Sequence, residues 1–281
     1  MLTNLNDVLR PAQKNHYAVG LFNTVTLEMT EGIFQAAEAL RAPVIVGTAE
    51  ILLPYAPLEA VADLTVARAK RASVPVVVHY DHGLTFEKCM EALKLGFSSI
   101  MYDCSTASYE ENVERLAEMV KIAHAMGATV EGELGHVGDN EGEGKLAKPS
   151  DYFTDPAQAQ DFVRRTGVDA LAIAVGNAHG DYKFPPKLDF DRISAIARAV
   201  DVPLVLHGGS GLSDDDFRKA IRLGIAKVNI FTDINKAQAA AAKQALEAGA
   251  CTAMEMSPYE ISAVRDAVED KMRLFSSNGK A

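Results

Sequence analysis

The sequence predicts an α/β protein folded as a single (β/α)8 TIM barrel, with a short helix before the first strand and an extra helix at the C-terminus. Three observations predict it. Eight short apolar segments are each followed by a segment with helical spacing. The apolar segments are continuous rather than alternating, as strands covered on both faces are in a parallel sheet. The 281 residues carry no linker, repeat or composition break, which favours one closed barrel over residues 1–281 rather than an open sheet or two domains.

Taken in order, a helix over 6–15 leads into a strand at 17–23. A helix over 26–40 follows, with Ile33, Ala36, Ala37 and Leu40 on one face, then a strand at 43–49 and a helix over 57–71. Next comes Pro75-Val-Val-Val-His-Tyr-Asp-His-Gly83, a β-branched buried strand that turns polar within five residues. The helix over 85–95 has Gly96 placed at its C-terminal cap. A strand at 98–104, an amphipathic helix over 109–126 and a strand at 128–135 follow. The polar, glycine-rich stretch 138–144 reads as a mobile loop. Asp155 as cap and Pro156 in the first turn open a helix to 165. A strand at 170–176, a helix over 190–200, a strand at 203–209, a helix capped by Ser213 and running to 223, and a strand at 225–231 complete the series. Two last helices cover 233–246 and 258–275, and the tail 276–281 reads as frayed.

Composition excludes several classes. A formal net charge of −10 with no basic stripe argues against nucleic acid as a partner. It leaves an anionic substrate open, because a pocket can be positive inside an acidic protein. Cys89, Cys104 and Cys251 are odd in number and widely spaced, so no disulfide framework is expected and the cytoplasm is the expected compartment. The first residues lack the basic-then-apolar order of a signal peptide. No apolar run approaches the roughly 20 residues of a membrane span, so no membrane partner is expected.

Polar residues gather where the predicted strands run out, the end at which barrel enzymes do their chemistry. His82, Asp103, Glu133, His207 and Asn229 end the third, fourth, fifth, seventh and eighth strands, and His179 follows the sixth. Three imidazoles with one open position are a common catalytic zinc arrangement. The affinity order of divalent metals leaves cobalt, nickel or iron open. His16 and His124 read as surface or packing residues, and His79 as a core group on the side of Asp81. His136 reads as exposed, or as a fourth ligand or substrate contact. Asp81 and His82 face opposite ways if the strand continues; a turn there would bring both to the site.

A second signal is an anion cradle. Asn177-Ala-His-Gly180, His207-Gly-Gly-Ser-Gly211 and Asn229-Ile-Phe-Thr-Asp233 close the last three strands, with backbone N–H groups and the hydroxyls of Ser210 and Thr232 available to a phosphate. Lys183 either helps neutralise it or is solvated. A metal beside a phosphate site suits a phosphorylated ketose, whose enediolate a Lewis acid stabilises while a base acts on the breaking alcohol.

Val-His-Tyr-Asp-His-Gly83, Tyr-Asp-Cys-Ser105 with Glu-Glu-Asn112, Val-Glu-Gly-Glu-Leu-Gly135, Ala-His-Gly-Asp-Tyr-Lys183, Leu-His-Gly-Gly-Ser-Gly211 and Lys-Val-Asn-Ile-Phe-Thr-Asp233 resemble the class II, metal-dependent ketose-bisphosphate aldolases, which include the fructose- and tagatose-bisphosphate enzymes. The resemblance runs over nearly the whole chain. It implies an enzyme with one zinc ion per subunit, cobalt or another divalent metal being an alternative. That enzyme reversibly splits a ketose 1,6-bisphosphate into dihydroxyacetone phosphate and an aldehyde, as a homodimer or homotetramer. By position it implies His82, His179 and His207 as metal ligands and Asp81 as the acid/base at the C4 hydroxyl. It implies Asn229 beside the enediolate, and Gly180, Gly208, Ser210 and Thr232 as phosphate contacts. Asp103 and Glu133 match carboxylates that orient ligands or take up an alternative metal position, and Glu141, with Glu143 as a rival, matches a loop acid/base. A monovalent cation near the phosphate also belongs to the family pattern.

Three positions depart from that pattern. Cys104 stands where Gly or Ala is common and reads as a small packing residue; Thr106 stands where histidine is frequent. Gly47-Thr-Ala-Glu50 replaces a serine-bearing turn facing the far end of the substrate, which leaves Thr48 as the hydroxyl. Arg273 reads as a solvated charge before a distal phosphate ligand. The aldehyde half is thus the least specified, and another phosphorylated keto sugar or keto acid fits as well. A metal-dependent hydrolase on this barrel gives no reason for the phosphate turns. A non-catalytic partner subunit would have lost a metal histidine or Asp81, and all four are present.

Overall fold

The computed structural model describes residues 1–137, 152–178 and 187–281. In chain order its elements are β1 (Leu2–Thr3), α1 (Leu5–Asn15), β2 (Val19–Asn23), α2 (Leu27–Leu40), β3 (Val44–Ala49), α3 (Leu58–Arg71), β4 (Val76–Gly83), α4 (Phe86–Leu95), β5 (Ser99–Tyr102), α5 (Tyr109–Ala125), β6 (Thr129–Leu134), α6 (Pro156–Thr166), β7 (Ala170–Ile173), α7 (Phe190–Ala199), β8 (Leu204–Leu206), α8 (Asp214–Arg222), β9 (Ile225–Ile230), α9 (Thr232–Glu247) and α10 (Ala253–Leu274). The parallel strands β2 to β9 run β4-β3-β2-β9-β8-β7-β6-β5, and β5 pairs back onto β4 to close the barrel. Among the described residues no helix is long and apolar enough to cross a membrane.

Alternate residues of a strand point to opposite faces, so each strand feeds two apolar layers. Val44, Val46, Val76 and Val78 pack outward under the helices. Val19, Leu21, Ile45, Val77, Ala170, Ala172 and Val205 point inward. Leu5, Val8, Leu9 and Ala12 lie on one face of α1 at helical spacing and are buried in that same interior cluster. Truncating one of these leucines to alanine would cost about 2–5 kcal/mol. The helix thereby stoppers the N-terminal end of the barrel, and the polar inward-facing groups sit toward the strands' C-terminal ends.

Three features escaped sequence reading. β1 is two residues long and pairs with Val76 and Val77 of β4 below the point where β5 takes over that edge. α10 begins at Ala253, not at Pro258, because Thr252 and Glu255 form a reciprocal capping box that starts the helix five residues before the proline. The tail is not frayed: Ser277 is fully buried, and the N–H groups of Gly279 and Ala281 donate to Leu40 O and Arg41 O at 2.9 Å. Those carbonyls end α2 and have no partner within their own helix. The need that holds the tail down thus lies far away in sequence.

Gly47 of β3 leaves no room for a side chain against β4: a Cβ there would lie 1.8 Å from His79 O. Gly47→Ala must separate the two strands and is expected to destabilise by about 3 kcal/mol. The readout is the denaturation midpoint; an unchanged midpoint would mean that the strands are not held at this spacing.

Candidate active site

The site begins at the end of β4. Asp81 continues the inward series Val77, His79, and lies almost wholly buried. Simple alternation would turn His82 outward. Instead its backbone adopts a left-handed φ of 44°, and the β4–β5 register shifts between Tyr80 and Gly83. Such a bulge re-aims a side chain, and here it swings His82 to the same side as Asp81. The rings of His82 and His207 stand edge to face with centroids 4.6 Å apart. Asp81, His82 and His207 can offer ligand atoms within 4.8 Å of one another, and so can His82, Asp103 and Glu133.

Each ring has one nitrogen committed to a carboxylate. His82 Nδ1 donates to Asp103 Oδ2 at 2.8 Å, and Asp103 Oδ1 accepts from Ser105 N at 3.0 Å. Burial would raise the Asp103 carboxyl, but the bond from His82 and that ring's charge hold it below the usual range. His207 is fully buried; its Nε2 donates to Glu131 Oε1 at 2.8 Å, and its Nδ1 lies 3.3 Å from Glu133 Oε2. Burial opposes a charged ring there, yet the two carboxylates push its pKa up to about 10. Glu133 Oε2 is itself buried and takes no hydrogen bond among the described residues. These surroundings demand positive charge between His207 and Glu133, which a divalent cation supplies as well as a proton does. The donor set therefore fits a metal, with carboxylates behind the imidazoles fixing ring orientation.

Asp81 is clamped by two amides. Asn23 Nδ2 donates to its Oδ2 at 2.8 Å, and Asn229 Nδ2 to its Oδ1 at 3.0 Å. Burial raises its pKa, but the charges of His82, Lys227 and His207 outweigh that and keep it ionised. His79 is neutral, its pKa lowered to about 3 by burial and by Lys227, and its Nδ1 meets Ser99 Oγ at 2.7 Å.

The glycine-rich turns flank this cluster. Gly208 and Gly211 have φ of 62° and 94°, which the tight turn after β8 requires and side-chain-bearing residues resist. Ser210 is held nearly buried within that turn. Asn177 ties the neighbouring strand end to it, its Nδ2 donating to His207 O at 3.1 Å. Thr232 is the first residue of the 16-residue α9, so its backbone N–H sits at a helix terminus that favours anions.

Other sequence expectations sort out as follows. Thr48 shares its side of β3 with Val44 and Val46, so its buried hydroxyl faces the helix layer and not the site. Glu50, in the same turn, accepts from Tyr80 Oη at 3.0 Å and Leu84 N at 2.7 Å, bracing the ends of β3 and β4. Cys104 packs in the outer core, and burial raises its thiol pKa. Arg273 pairs with Glu269 at 2.6 Å on the surface of α10. His136 is half-buried, with Nδ1 3.3 Å from Ser105 Oγ. His179, Gly180, Lys183, Glu141 and Glu143 lie outside the described residues.

Sequence reading missed Asn23, Glu131 and Lys227. A signal for the last two existed: each lies two residues before an assigned polar residue, Glu133 or Asn229, on the same face of a buried strand. A charge in such a strand needs a partner.

A closed parallel barrel with a buried histidine–carboxylate cluster and glycine-rich turns at its C-terminal end suits a barrel enzyme of the metal-dependent class. The chain matches the family model described as fructose-bisphosphate aldolase class-II over residues 3–280, and it belongs to that family of carbon–carbon lyases. It is 40% identical over 281 residues to the uncharacterized protein YdjI of Escherichia coli K12, with 100% of both chains covered. It is 37% identical over 309 residues to the fructose-bisphosphate aldolase of Thermus caldophilus, again with 100% of both covered. The crystal structure of the YdjI aldolase from E. coli K12 matches with a TM-score of 0.91 at 37% identity, covering 100% of each chain.

Proposed function

We propose that the chain is a zinc-dependent aldolase that reversibly cleaves a ketose (bis)phosphate to dihydroxyacetone phosphate and an aldehyde. The observation that carries this reading is an ionised Asp81, clamped by Asn23 and Asn229, within ligand-atom reach of His82 and His207. His82 and His207, with His179, would hold the metal; Asp103 orients the ring of His82, and Glu133, beside Nδ1 of His207, would orient a ligand or offer the metal an alternative position. When bound, the cation supplies Lewis acidity toward a ketone oxygen and its neighbouring hydroxyl. Asp81 takes the proton from the C4 hydroxyl as the C3–C4 bond breaks, and returns it in condensation. Asn229 spans Asp81 and the enediolate. Gly180, Gly208, Ser210 and Thr232 receive the phosphate, with a monovalent cation beside it. Glu141 or Glu143 moves the proton on the enediolate carbon. The chain acts as one domain, in the cytoplasm, as a homodimer or homotetramer.

The orientation of Thr48 favours a second reading of the far end of the substrate. With that hydroxyl turned to the helix layer, the acceptor is an aldehyde other than glyceraldehyde 3-phosphate, and the ketose another phosphorylated keto sugar or keto acid. Incubating metal-loaded protein with dihydroxyacetone phosphate and a panel of aldehydes tests both. Condensation is expected only when dihydroxyacetone phosphate is the donor. A protein that condenses none of the panel, or that uses unphosphorylated dihydroxyacetone equally well, would contradict the assignment.

A further inference from the structure

We propose that Lys227 and Glu131 form a buried positioning pair that fixes which nitrogen His207 presents to the metal. This inference rests on the reading that His207 is a ligand. Lys227 and Glu131 are both fully buried, and Lys227 Nζ lies 2.7 Å from Glu131 Oε2. The other oxygen, Oε1, accepts from His207 Nε2. The two residues lie on β9 and β6, with β7 and β8 between them. The ion pair therefore spans the barrel interior, beside the small inward side chains Ala170 and Ala172.

The pair forms a polar layer one step below the reacting groups. Glu131 is two residues before Glu133, and Lys227 two before Asn229. Nothing in the reaction requires either to touch substrate. A carboxylate can only accept, so Glu131 places the proton of His207 on Nε2 and leaves Nδ1 for the site. Glu131 has two nitrogen partners, and Lys227 holds the oxygen that His207 does not use. Without Lys227, Glu131 Oε2 would lose its cationic partner in the barrel interior, and the carboxylate would be free to turn away from the ring. Carboxylates behind metal-bound histidines tune affinity in just this way.

The test compares Lys227→Met, Glu131→Gln, the double variant Glu131→Gln/Lys227→Met and His207→Ala with the unmodified protein. Cobalt affinity is read by chelator competition, the cobalt absorption spectrum reports ligand geometry, and thermal melts report folding. Lys227→Met and Glu131→Gln are each expected to weaken cobalt binding by about 10–100-fold and to shift the spectrum. The double variant should melt higher than Lys227→Met, because no buried charge is left alone, yet still bind cobalt weakly. Wild-type affinity and spectrum in Lys227→Met, or in the double variant should Lys227→Met not fold, would overturn the positioning role. Unaltered cobalt binding in His207→Ala would instead overturn the reading of His207 as a ligand.

Discussion

Asp81→Ala is expected to lower turnover by about 10²–10⁴-fold, the usual contribution of a positioned acid/base, while metal content stays at the wild-type level. The side chain is shaped for that one task. Both oxygens accept amide N–H groups, from Asn23 and Asn229, so the carboxylate cannot rotate away. Cationic neighbours keep it ionised despite burial. Removing it leaves His82 and His207 with their own carboxylate partners, Asp103 and Glu131, and so leaves the proposed ligands in place. Steady-state kinetics of ketose cleavage, with metal analysis of the same sample, check this. Near-normal turnover would remove Asp81 from proton transfer, and loss of metal would make it a ligand.

Complete chelation is expected to abolish cleavage, and zinc or cobalt to restore it. The effect should be total because the cationic groups the site retains without a metal are held by carboxylates, Lys227 and His207 by Glu131 and His82 by Asp103, and none of them is a Lewis acid. His82→Ala and His207→Ala should each behave like permanent chelation, with metal content falling together with activity. Activity that survives thorough stripping, and that borohydride then traps with substrate, would point to a Schiff base on a lysine.

Much of this architecture was legible in the chain. Runs such as Val76-Val-Val78 have no polar face to show water, so a parallel sheet covered on both sides follows directly. Asp155 and Ser213 announce helix starts because their side chains accept from the first-turn N–H groups, as they do here. Legibility failed where the cause lies elsewhere in the sequence. The tail is fixed by the unfilled carbonyls of α2, and Pro258, a residue suited to a first turn, lies inside a helix that the capping box of Thr252 and Glu255 starts earlier. In the site, the strand-end histidines and acids stood out by position. The turn of His82 depends on a shift against β5, which no local pattern reveals. Glu131 and Lys227 were harder still, since two charges on strands nearly a hundred residues apart make sense only once the barrel closes them together.

The most direct measurement of the central claim needs no aldehyde. Dihydroxyacetone phosphate alone is held in deuterated buffer with catalytic amounts of metal-loaded protein, and its hydroxymethyl proton signal is followed by NMR. Metal-dependent generation of an enediolate predicts loss of one of the two protons, stereospecifically, with exchange stopped by a chelator and resumed on adding zinc. Exchange that proceeds unchanged in chelator, or no exchange from protein that demonstrably holds metal, would contradict it.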